Sequence, residues 1–66
     1  MHPATDALLK FFSYDHLPPA QRRISEPFHG LAHAMAEAYD LDGPELTAGL
    51  RKLLEAKDCM VRASLK

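Results

Sequence analysis

The last third of the chain, Gly43 to Lys66, reads as one uninterrupted amphipathic helix, and it dictates what the rest has to do. Leu46, Leu50, Leu53, Leu54, Val61 and Leu65 recur at helical spacing on one face, while Arg51, Lys52, Glu55, Asp58 and Arg62 fill the other. At about 1.5 Å per residue such a helix is roughly 33 Å long. The 42 residues before it suffice for one more long helix and a short one. A two-helix hairpin alone rarely closes a core. The sequence therefore predicts an all-α fold, a short N-terminal helix plus an antiparallel two-helix hairpin, assembled as a homo-oligomer.

With 66 residues the chain makes a single domain near the lower limit for independent stability. Cys59 is the only cysteine, so no disulfide framework assists it. A lone thiol in mid-helix suits a reducing compartment and is expected as a small packing residue. No secretory signal is visible, and no run is apolar enough to span a bilayer. The expectation is a soluble cytoplasmic protein with no membrane partner.

Net charge is −1, which disfavours a general nucleic-acid coat. The distribution is more telling. Residues 46–66 carry five bases against two acids, and residues 1–45 carry three bases against seven acids. A basic helix in an otherwise acidic chain could serve a compact anion or pair with the acidic half of a neighbour.

Along the chain, Thr5 or Asp6 can cap a first helix running through Phe11 or Phe12. Ser13 to Pro18 is a connector, because a following proline keeps Leu17 and Pro18 out of the α region. Phe11 and Phe12 are expected to plug a small core. The second helix begins near Pro19 and ends around Tyr39, with Ile24, Phe28, Leu31, Met35 and Ala38 as its apolar stripe. Pro27 predicts a kink, or a restart with Ser25 as N-cap. Asp40-Leu41-Asp42-Gly43-Pro44 is a short turn, with Asp42 the expected cap of the last helix, and a connection this short makes the long helices antiparallel neighbours.

His29 and His33 lie four apart, a spacing that can chelate a metal. No Cys or acid is read at matching spacing, so no metal site and no cofactor are expected. His33 is read as structural or solvated. His29, beside Gly30, could donate to a phosphate or face solvent. Neither a Ser–His–acid grouping, nor a recognisable carboxylate pair, nor a glycine-rich phosphate loop is present, so catalysis is not expected. Tyr14, held between Ser13 and the Pro18-Pro19 corner, could stack a nucleobase.

Two segments carry a family likeness. Phe12-Ser13-Tyr14-Asp15-His16-Leu17-Pro18-Pro19 resembles the Phe-x-Tyr-His…Pro connector of the phage anti-CBASS cyclic-oligonucleotide sponges. Gly43-Pro44-Glu45-Leu46-Thr47-Ala48-Gly49-Leu50-Arg51-Lys52-Leu53-Leu54-Glu55-Ala56-Lys57-Asp58 is similar to that family's last helix, and the likeness spans roughly residues 11–66. It implies a homohexamer of helical hairpins that holds cyclic dinucleotides between protomers, and in many members cyclic trinucleotides near the three-fold axes. Such proteins lower the free concentration of the messenger without degrading it. Tyr14 matches the family's base-stacking tyrosine. The family's phosphate-contacting lysine falls near His29 or Gly30, where this chain has none, so His29, His33 or Arg22 takes its place in this reading. His16 on the connector, and Arg62 and Lys66 at the basic end of the last helix, complete the candidate ligand-binding set. A Trp-Ala-Asn stretch common in the family is replaced here by Cys59-Met60-Val61-Arg62. The expected partners are thus cyclic dinucleotides, cyclic trinucleotides and further copies of the chain, in a bacterial host cytoplasm. The rival reading is a helical interaction protein whose basic last helix docks a protein partner. Duplex DNA binding is disfavoured by the acidic first half.

Overall fold

Three prolines set the helix starts. The computed structural model describes residues 3–65, and in it α1 runs Pro3–Lys10, α2 Pro19–Glu37 and α3 Pro44–Ala63. Each opens on proline, whose missing N–H is no loss in a first turn. All described helices are α, and among the described residues there is no strand. The chain reverses between α2 and α3 through Asp40 at φ 56° and Gly43 at φ 88°. These are left-handed conformations, tolerated by aspartate and natural to glycine.

Several boundaries differ from the expectation. Thr5 is not a cap: it lies inside α1 and is buried. Gly43, not Asp42, is the N-cap of α3, and no side chain caps that end. Thr47 Oγ1 instead reaches the Gly43 carbonyl at 3.5 Å. α3 closes at Ala63, with Ser64 Oγ donating to the Val61 carbonyl at 2.6 Å. α2 is unbroken through Pro27. That residue is exposed, so its ring and the Arg23 carbonyl it leaves without a helical donor lie on the wet side. Ser25 starts no new helix. It is fully buried within α2, and its Oγ has no hydrogen-bond partner.

The core is small and organised on α3, which packs against both other helices. Leu8 and Leu9 from α1, Ala32 and Ala36 from α2, and Leu50 from α3 surround Phe12, whose side chain is 0% exposed. Phe28, Leu46, Leu53 and Leu54 pack around that cluster. Of the expected aromatic plug only Phe12 enters; Phe11 is 63% exposed. The expected stripe on α2 is also displaced. Its inward face is the small set Ser25, Ala32 and Ala36, again at helical spacing, while Leu31 and Ala38 are exposed. Small side chains let neighbouring helices approach closely, while Phe28 of the expected stripe packs against the core from its flank and Ile24 and Met35 are half-buried.

A polar contact closes the short arm. Lys57, in the middle of α3, is 8% exposed, and its Nζ donates to the Phe11 carbonyl at 2.8 Å. That carbonyl lies just beyond α1, where backbone acceptors have no helical donor. Asp58 Oδ1 is 3.8 Å from the same nitrogen. Substituting Lys57→Met keeps the aliphatic stem but leaves the carbonyl unpartnered. Urea unfolding should show a loss of about 1–3 kcal/mol, and an unchanged midpoint would remove the contact from the account of stability.

Candidate ligand-binding site

Tyr14 is placed by the residues on both sides of it. Upstream, Phe12 is sunk in the core, and the amides of Phe11, Phe12 and Ser13 donate to the carbonyls of Leu8, Leu9 and Lys10. Downstream, the Leu17 amide donates to the Tyr14 carbonyl at 3.1 Å, and Pro18 is extended with φ −57° and ψ 155°. The tyrosine therefore sits at the head of a tight turn, partly exposed, with its ring brought to the side of α2.

There it meets the histidines. The Tyr14 and His29 rings are 5.1 Å apart centre to centre at 75°, edge to face. His29 and His33 follow at 4.3 Å and 36°. His33 Nδ1 is 2.9 Å from Glu37 Oε1, which extends the row by one more turn. Arg22 belongs to the same face, since seven residues are about two turns. From Arg22 to His33 this face runs about 16 Å. A flat phenol, two imidazoles and a guanidinium in line suit a planar, anionic ligand, with rings for stacking and N–H groups for phosphate oxygens.

The remaining candidates sort elsewhere. His16 is exposed in the turn after Tyr14. Arg62 lies in the last turn of α3 and donates to Cys59 Sγ at 3.4 Å. It lines a hollow of about 220 Å³ with Leu17, Lys57, Asp58 and Val61, so it borders the far end of the Tyr14 turn without joining the ring row. Lys66 lies outside the described residues. Cys59, expected to pack, is exposed, because the stretch of α3 beyond Lys57 extends past the core.

Two side chains that the sequence reading passed over matter here. Glu37 follows His33 by four, a spacing at which helical side chains meet, so the acid was legible. Lys57 gave no comparable signal, since its acceptor is 46 residues away. Among the described residues no three His, Cys, Asp or Glu side chains converge on a common point.

Away from the ring row, a second hollow of about 470 Å³ opens between α2 and α3. Leu31, Met35, Leu41 and Leu53 line it, with Asp42 and Glu45. It contains none of the candidate ligand residues. The ring row and the Leu31–Met35 edge flank the buried face of α2 on opposite sides, as the 100° step between helical residues requires.

Charge divides along the long axis, which measures 36 Å against 18 Å across. Glu37, Asp40, Asp42 and Glu45 gather where α2 hands over to α3. Arg22, Arg23 and Arg62 lie at the other end, interspersed with Asp15, Glu26 and Asp58, so the acidic end is the more strongly charged. Among the described residues, no helix is long and apolar enough to cross a membrane. No family model, curated protein or solved structure matches the chain.

Proposed function

We propose that this protein is a sponge for cyclic di- and trinucleotide second messengers, which it holds without degrading and so keeps from the effectors of bacterial CBASS defence. The observation that carries the reading is the row Tyr14–His29–His33 with Arg22 on the same face of α2. Its rings answer the bases of such a messenger, and the Arg22 guanidinium answers the phosphates, on the face where the resembling family uses a lysine. Sequestration asks for binding groups and no general base, and the reading assigns no catalytic role to either histidine. The setting proposed is a phage-encoded protein in the cytoplasm of the bacterial host.

The proposal includes assembly, as a homohexamer. Leu31, Leu41, Met60 and Leu65 are exposed in a chain whose own core holds six buried apolar residues among those described. The Leu31–Met35–Leu41–Leu53 hollow is an apolar seat, and the acidic residues at one end with the arginines at the other favour a second copy of the chain as its occupant. A stable contact needs about 800 Å² from each partner, a large share of so small a surface. The ligand would then be held at the seams between copies.

Three measurements test this. A cyclic dinucleotide mixed with the protein and released by heating should return intact; recovery of a linear product would defeat the sponge reading. Tyr14→Ala should weaken dinucleotide binding in calorimetry by about 1–3 kcal/mol, the worth of one base–aromatic stack. Unchanged affinity would remove Tyr14 from the site. In solution the 7.4 kDa chain should run near six copies, and Leu31→Glu should lower that mass. A wild-type monomer at micromolar concentration would end the assembly claim.

A further inference from the structure

We propose that His29 and His33 form an open chelate for a borderline divalent transition-metal ion such as Zn²⁺, with Glu37 as the positioning residue of His33. It concerns the same histidines as the sponge reading, and its test uses no nucleotide, so the two can fail separately.

Geometry comes first. The two imidazoles are one helical turn apart on α2, with ring centres 4.3 Å from each other and planes tilted by 36°. Two nitrogens bound to one tetrahedral zinc at 2.0–2.1 Å stand roughly 3.3 Å apart. The ring centres stand within about 1 Å of that separation, on one face of α2. The sites are also open to an incoming ion, the His33 and Glu37 side chains being 36% and 54% exposed.

Orientation is the second element. Glu37 Oε1 lies 2.9 Å from His33 Nδ1, and a carboxylate only accepts. The proton of that hydrogen bond is then on Nδ1, and Nε2 presents its lone pair. This is the carboxylate–histidine pairing that fixes the tautomer and ring orientation of metal-binding histidines. Tyr14, edge to face against His29 at 5.1 Å, restrains the second ring.

The donor set decides the metal. Two neutral imidazoles suit zinc, nickel and copper rather than magnesium or calcium. Among the described residues no third protein donor joins them. The ion would keep its other positions for water or for an anionic oxygen, a phosphate oxygen being the fitting class.

Titration of the full chain with zinc chloride in a non-chelating buffer, read by calorimetry, tests the proposal. Saturable micromolar binding should survive in Cys59→Ser, which removes the exposed thiol. It should weaken at least tenfold in His29→Gln and in His33→Gln. Glu37→Gln should weaken it by about ten- to a hundredfold while both ligands remain. On the unsubstituted protein, ¹⁵N shifts of the imidazoles should move at both histidines on zinc addition, a readout independent of whether any variant folds. Absent micromolar binding, unmoved shifts, or a His29→Gln/His33→Gln double variant that binds like wild type would each overturn the site. An unaffected Glu37→Gln would overturn its positioning role.

Discussion

The hydrogen bond from Lys57 to the Phe11 carbonyl, together with the burial of Leu8, Leu9 and Phe12, holds the segment N-terminal to α2. α1 has eight residues, too few to hold its shape in water unaided, so its position must come from tertiary contacts. Two are supplied within two residues of one another. Phe12 is driven into the space beneath α1 by its apolar area, and the adjacent carbonyl is fixed by a cation from the middle of α3. Apolar burial of Leu8, Leu9 and Phe12 is non-directional and leaves the backbone groups beside them some rotational freedom. The directional bond removes that freedom, and Tyr14, two residues on, inherits the result.

α2 shows how a single helix can serve three neighbours. Its innermost residues are Ser25, Ala32 and Ala36, which offer little apolar area but allow close helix contact. The bulky Leu31 and Met35 stand to one side over the hollow shared with α3, and the histidines stand to the other. The helix thus carries a buried face of small side chains, an apolar edge over the hollow on one side and a row of imidazoles on the other. Ser25, buried without a hydrogen-bond partner, is an unfavourable choice for the first of these. No contact in the structure accounts for it.

How much of this was legible follows from the range of each signal. Helix number, type and order were readable because hydrophobic periodicity and prolines act locally: Pro19 and Pro44 open α2 and α3 where expected. The inner face of α2 was legible only in part, through Phe28, because a moment points to where the large residues are, whereas the deepest positions went to small ones beside them. Asp42 looked like a cap by residue type, but the left-handed Gly43 carries the chain into α3 without one. Pro27 allowed a restart at Ser25 as well as a kink, and the restart does not occur, because sequence does not show which side of a helix faces water. In the site, Tyr14, His29 and His33 were named separately, and their convergence depends on Phe12 and Lys57, the second of which acts across 46 residues.

The ends of the helices carry one further consequence. α1 and α3 follow the peptide dipole, with Asp6 and Glu45 in their first turns and Lys10 and Arg62 in their last. α2 runs against it: its first turn has no acid and holds Arg22, and its last turn has no base and holds Glu37. Dissolved electrolyte therefore pulls the three segments in different directions, softening the outer two at their tips while easing the internal conflict of the middle one.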